Sequence, residues 1–251
     1  MELTTLFGII LGIGGILLGN VIEGGHIASL GQGAAAVIVF CGTFGAVIVA
    51  SKRDDLTLAW KLAKEAVAKP KLEETEKIIQ EILDCNRFAR KESIVGLEPR
   101  ISKLSNNFLQ SVLRGVVDGI DAKVLRDVFE TQIHHEEEKM LGGAKVWTDA
   151  GGFAPTIGII GAVLGLIHVM GNLSDTSKLG AGIAVAFVAT IYGVGSANLI
   201  LLPFGSKVKK YVHHRTLIKE MILEGGLSIQ MGLSPTLTEM KLRSFVDKVK
   251  A

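Results

Sequence analysis

The chain is poor in the residues that usually punctuate or staple a soluble fold. It has two cysteines, five prolines, two tryptophans and two tyrosines in 251 residues, and aromatics make up 6%. Cys41 falls in an apolar run and Cys85 in a charged region, so the two thiols cannot meet and no disulfide is expected. No nucleophile motif and no phosphate-cradling glycine loop is present, which leaves no case for a bond-making enzyme or for an enzyme cofactor. Strand-like alternation of apolar and polar residues is missing throughout, which excludes a β-barrel. Charge of one sign is missing too. Within 52–150 there are 17 basic and 18 acidic residues, a balance that argues against nucleic acid as a partner.

The most informative absence is local. Leu3–Ile22, Gly24–Ser51, Ala150–Ser174 and Leu179–Ser206 contain no Asp, Glu, Lys or Arg. About 20 mostly apolar residues cross a bilayer as a helix, so each run predicts one span. The expected spans are 3–22, 33–51, 152–173 and 179–204. They sit in a membrane pair at 1–51 and a second pair at 151–204, with helical regions at 52–150 and 205–251. A mean hydropathy of +0.41 beside 21% charged residues has the same explanation, because the charges are segregated. The N-terminal run lacks a basic flank, so it reads as a retained helix rather than a signal peptide. The expected fold class is all-α, a polytopic membrane protein with four transmembrane helices and a helical cytoplasmic region.

Basic residues set the orientation. Of 27 Lys and Arg, 17 lie in 52–150 and nine in 205–251, with Lys178 the exception. The positive-inside rule puts both regions, and both termini, in the cytoplasm. The turns at 23–32 and 174–178 then face out.

Outside the spans, the pattern predicts helices over Leu56–Ala68 (broken at Pro70), Leu72–Phe88, Ile101–Val117 and Ala122–Val146. Two more are expected in Val208–Ala251, on either side of a Gly225-Gly226 break, with Pro235 opening the last. His134 and Glu138 stand one helical turn apart and could share a metal ion, but a solvated charged face is the expected reading, with no metal.

Within the spans, small residues recur at four-residue spacing: Gly8 and Gly12, Gly15 and Gly19, Gly42 and Ala46, Gly161 and Gly165, and Ala189, Gly193 and Ala197. Such rows allow close helix packing, either within one chain or against other subunits. Besides His168, read as an interhelical contact near the outer end of the third span, no span holds a group that titrates near neutral pH. Intramembrane carboxylates are the usual carriers in pumps and motors, so an ion-handling role requires a carboxylate from another chain. Pro155 and Pro203 fall at similar depth near the cytoplasmic boundary, either as ordinary punctuation or as a paired hinge. Thr190 sits near the middle of the fourth span, where a threonine either bonds back to its own helix or faces a pore.

At these positions the chain resembles a known family. Ala154-Pro155-Thr156-Ile157-Gly158-Ile159-Ile160-Gly161-Ala162 and its continuation to Leu166 are similar to the third span of MotA-type stator subunits. Ala186-Phe187-Val188-Ala189-Thr190-Ile191-Tyr192-Gly193, with Pro203 following, is similar to their fourth. Gly195 departs from the bulky apolar residue expected there. Ala89-Arg90-Lys91-Glu92-Ser93 followed by Leu97-Glu98 resembles the family's charged cytoplasmic segment. The resemblance covers the whole chain and places it in the MotA/TolQ/ExbB superfamily.

The resemblance implies a stator subunit of the bacterial flagellar motor in the inner membrane. It implies a ring of five around two MotB-like chains, each peptidoglycan-anchored and supplying one span with an ion-binding aspartate. The ring would push the rotor protein FliG through Arg90 and Glu98. Pro155, Thr156 and Pro203 would be conformational or line the ion path, and Thr190 would be the pore threonine. Ala162 stands where sodium-driven relatives tend to carry threonine, so the implied ion is H+, with Na+ as the alternative. The competing expectations are an ExbB/TolQ-like energiser of outer-membrane processes, which has three spans rather than four, and a gliding-type motor subunit. A solute transporter would show inverted halves or broken mid-span helices, and the two span pairs here look unlike each other.

Overall fold

The computed structural model describes residues 3–67, 72–171 and 176–250. Every regular element among them is helical. The predicted break at Pro70 and residues 174 and 175 of the turn expected at 174–178 lie outside the described residues, whereas 176–178 belong to the first turn of the next helix. The chain packs as two units, one formed by Met1–Lys69 with Met140–Lys209 and the other by Pro70–Lys139 with Lys210–Ala251.

The first unit holds the apolar helices α1 (Leu3–Ile22) and α2 (Gly33–Ala50). After α2 comes α3 (Arg53–Val67). Next in the chain are α4 (Leu72–Lys91), α5 (Asn107–Val117) and α6 (Ala122–Gly171), a helix of 50 residues. Then follow α7 (Thr176–Ser196), α8 (Leu202–Gln230) and α9 (Pro235–Lys250). Among the described residues, four helices are long and apolar enough to cross a membrane. At 1.5 Å per residue, α6 is about 75 Å long, more than twice the thickness of a hydrocarbon core.

Two spans contain π-helical turns, Val37–Cys41 inside α2 and Ala197–Leu201 between α7 and α8. The second has a local cause in the sequence. The ring of Pro203 would press on the carbonyl four residues back and leave that carbonyl without its donor. Wider turns just ahead of the proline relieve that crowding while the helix axis continues. No such turn precedes Pro155, which sits inside α6.

The unit's closest packing runs between the third and fourth spans. A Cβ added at Gly165 would lie 2.8 Å from Ala186 N, one at Gly158 2.9 Å from Ala189 O, and one at Gly193 2.5 Å from Ala154 O. These are backbone-to-backbone approaches, so the small-residue rows of these two spans are used within the chain. The row on α1 divides. Gly12 faces Leu199, whereas Gly8, Gly15 and Gly19 face open space. On the fourth span Tyr192 donates its hydroxyl to Leu30 O at 2.5 Å and stacks on Phe40 at 6.0 Å between centroids. It thereby fixes the short 3-10 turn Ile27–Leu30 that leads into α2.

At the other end of this unit, α3 is held by aromatic contacts. The Trp147 indole donates to Ala59 O at 3.3 Å and stands edge-on to Trp60 and Phe204, at 5.5 and 4.8 Å.

The second unit is a helical bundle around Ile79, Ile82, Leu83, Leu109, Leu113 and Leu223, which are all buried. Two sequence expectations are corrected here. The predicted helix start at Ile101 is instead a helical turn, Glu98–Ile101, and α5 begins only at Asn107, because the Asn106 side chain caps it by accepting from Phe108 N and Leu109 N at 2.9 and 3.0 Å.

The Gly225-Gly226 break does not exist. Both residues lie inside α8, which runs on to Gln230. A Cβ at Gly225 would come within 2.8 Å of Ile82 and one at Gly226 within 2.3 Å of Val112. Each glycine costs about 1 kcal/mol of helix propensity, but burial of the helix against α4 and α5 outweighs that cost. The chain turns instead at Gly232, which has φ +66, a conformation glycine adopts without strain. Asn86, 1% exposed, then ties α9 down by donating to Thr238 Oγ1 at 3.0 Å and Leu233 O at 3.2 Å.

Candidate functional site

Apart from the imidazole of His168, the polar groups of the described spans are hydroxyls, amides, the Cys41 thiol and backbone groups. Thr190 is half-buried and donates to Ala186 O, one turn back on its own helix, at 3.3 Å. That is the ordinary back-bond of a mid-span threonine, and it leaves the hydroxyl's lone pairs available. Thr156 is exposed and donates to Phe153 O at 2.8 Å. Ala162 is half-buried, next to Gly161, whose added Cβ would touch Ala189 at 2.7 Å. Thr43, on α2, is 2% exposed and its hydroxyl has no protein partner.

The prolines are each tied to the close-packed line by a neighbour. Pro155 follows Ala154, whose carbonyl meets Gly193. Pro203 follows Leu202, which packs against Gly151; a Cβ there would be 2.6 Å from the leucine side chain. The π-helical turns Ala197–Leu201 lie between these two contacts on the fourth span. The sequence pointed to two prolines but not to the wide turns beside one of them. Pro155 is half-buried and Pro203 is exposed, so the two are not equivalent.

The charged candidates lie in the second unit. Arg90 is exposed and donates through Nη1 to Gly232 O at 2.9 Å, in the turn that follows α8. It therefore has a structural task, satisfying a backbone carbonyl of the turn between α8 and α9. Glu98 is exposed at the start of a helical turn and borders a hollow of about 320 Å3 with Arg114 and Asp118.

A charge centre that no sequence pattern singles out lies in the same unit. Glu224 on α8, with a side chain only 14% exposed, pairs with Arg126 of α6 at 2.5 Å and with Lys241 of α9. Burial pushes its carboxyl up, but the hydrogen bonds from Arg126 and Lys241 outweigh burial and hold it below the ordinary range. Burial lowers the pKa of His214, and His213 beside it acts in the same direction. The Cys85 thiol is pushed up to about 11, chiefly by burial, and is inert. His134 and Glu138 are both largely exposed and 3.4 Å apart, and among the described residues no three metal-ligating side chains converge.

Four apolar helices, a closely packed hairpin of the third and fourth with a proline at the charged end of each, and spans that hold no Asp, Glu, Lys or Arg define a polytopic membrane protein without an intramembrane carboxylate of its own. The chain belongs to the MotA/TolQ/ExbB proton channel family, whose model matches residues 100–221. Among relatives, Motility protein A of Bacillus subtilis (strain 168) is 32% identical over 253 residues, covering 100% of this chain and 94% of its own. The structure is similar to C. jejuni MotAB, with a TM-score of 0.89 at 28% identity over 98% of this chain and 96% of that one. It is also similar to the flagellar MotAB stator complex from Bacillus subtilis, with a TM-score of 0.86 at 31% identity, covering 98% and 97%.

Proposed function

We propose that the chain is the membrane-ring subunit of a flagellar stator, which forms an ion channel with a MotB-like partner and turns ion flow into torque on the rotor. The observation that carries this reading is the lack of Asp and Glu in all four apolar runs, in a chain similar over nearly its full length to stator subunits. A channel that moves ions through a bilayer needs a group to bind them, and the partner's aspartate would supply it.

The finer features belong to the same proposal. The ring holds five copies around two partner chains, both termini are cytoplasmic, and the protein sits in the bacterial inner membrane. The ion is H+, with Ala162 leaving no hydroxyl at that point of the third span, and Thr190 faces the pore. Pro155 and Pro203 bend with each ion-binding event, and the π-helical turns ahead of Pro203 make that end of the fourth span the more compliant one. Arg90 and Glu98 act on the FliG-type rotor through charge.

Proton flux into vesicles tests the core of the proposal. Vesicles holding this chain with its partner are expected to conduct, and vesicles holding the chain alone are not. Strong flux from the chain alone refutes it.

A further inference from the structure

Many charged side chains of the second unit pair with one another. Arg87 meets Asp84, Arg126 meets Glu130 and Glu224, Lys219 meets Glu136, and Arg243 meets Glu76 and Glu239. The hollow of about 320 Å3 beside Glu98 is different. Glu98, Arg114 and Asp118 all line it, together with Ile101, Ser102 and Val117. Opposite charges share the hollow, yet among the described residues none of the three has an ion pair.

Both walls are held in place. On one side the helical turn Glu98–Ile101 starts with Pro99 near its first position, and Leu97 and Ile101 anchor it in the core. The Arg100 guanidinium lies 3.8 Å from the centre of the Phe88 ring, and just ahead of the turn Gly96 N donates to Ser93 Oγ at 3.0 Å. On the other side α5 ends in a Schellman motif. Ile120 N donates to Gly115 O and Gly119 N to Val116 O, both at 3.2 Å, and Gly119 has φ +72. Arg114 and Asp118 are four residues apart, so they share one face of that fixed helix end. Asp118 stands at the negative end of the helix, where a carboxylate is disfavoured. Charges set against a local preference and left unpaired, over an apolar floor of Ile101 and Val117, are laid out for a partner.

We infer that this hollow is a seat on the rotor-facing surface, in which Arg114 and Asp118 act beside Glu98. The inference rests on the stator reading above. The occupant is a segment of the FliG-type rotor protein that offers a carboxylate to Arg114 and a cation to Glu98 and Asp118. Neighbouring charges of opposite sign fix the register of such a segment as well as attract it, which Glu98 by itself does not.

The test uses the full chain with its partner in motile cells. Photoreactive p-benzoylphenylalanine in place of Ser102 is expected to cross-link to the rotor protein. Arg114→Glu in the same chain should lower that yield about two- to fivefold, the effect of an exposed ion pair. Arg114→Glu and Asp118→Lys should each lower the torque of tethered cells as Glu98→Lys does. Thermal unfolding of the complex should not change, because none of the three is paired. Asp127→Lys reverses an exposed charge that does not line the hollow and should leave torque as it is. Lowered torque in Glu98→Lys with normal torque in the other two reversals overturns the seat and leaves the stator reading standing. Normal torque in all three removes the rotor contact at Glu98 as well. No cross-link to the rotor protein, or a cross-link only to a second copy of this chain, also overturns the seat. Should Arg114→Glu fail to assemble, Arg114→Gln replaces it, since it removes the charge without adding another.

Discussion

Among the described glycines, the one whose added methyl would come nearest to backbone is Gly193. Its Cβ would lie 2.5 Å from Ala154 O and 3.0 Å from Gly158 Cα, both backbone atoms on the facing span. Neither can rotate away, so Gly193→Ala must push the third and fourth spans apart beside Pro155. Overpacking of this kind costs about 1–3 kcal/mol, and rigid backbone on the far side places it toward the upper end. The substitution also gains about 1 kcal/mol of helix propensity. The net loss is therefore only about 1–2 kcal/mol, which would be hard to interpret alone.

Gly195→Ala supplies the comparison. It carries the same propensity gain two residues along the helix, but its Cβ meets nothing within 4 Å. The difference between the two variants isolates the steric cost, expected at about 2–3 kcal/mol. Thermal unfolding of the purified complex, followed for both variants in one detergent, measures that difference. If Gly193→Ala melts with Gly195→Ala, the two spans are not held at backbone contact here, and the account of their packing fails.

Three further outcomes are expected. Pro155→Leu and Pro203→Leu should leave pull-down of the partner intact while swimming speed falls sharply, and loss of partner and motility together would make the prolines packing residues only. Glu98→Lys should lower swimming torque without changing unfolding, whereas Arg90→Glu should do both, because it also strips Gly232 O of its donor at a cost of about 1 kcal/mol; normal torque in the double reversal would exclude a rotor role. Glu224 titrates below its ordinary value of 4.5 in the folded state, so its stabilising effect is full above that value and is lost as pH falls through the lower folded one. Glu224→Gln should therefore cost about 1–2 kcal/mol at neutral pH, softened because Arg126 keeps Glu130 at 3.1 Å, and should flatten the acid limb of a melting-temperature profile; an unchanged acid limb would refute the assignment.

The spans were legible because charge is costly in a bilayer, and a long run without any is rare in a helix that meets water on one face. The glycine spacing of the third and fourth spans was legible as well, though not whom those rows would face, since the same pattern serves contacts within and between subunits. Gly225-Gly226 misled because propensity is a local quantity, and what keeps α8 helical there is Ile82 and Val112, far away in sequence. The cap at Asn106 left a readable signal, an asparagine ahead of an apolar periodic run. The π-helical turns left none, because a wide turn uses ordinary apolar residues and depends on what the helix must accommodate. Glu224 was equally hidden, since its partners come from α6 and α9 and no spacing along the chain links them.

The Tyr192 hydroxyl on Leu30 O gives the protein a built-in reporter. The chain has only two tyrosines, so replacing both with 3-fluorotyrosine yields a fluorine spectrum of two lines. Substituting Tyr211 with phenylalanine assigns them. The Tyr192 line then senses whether the turn ahead of α2 is seated on the fourth span or released from it, under applied ion gradients and without a bulky label in the membrane.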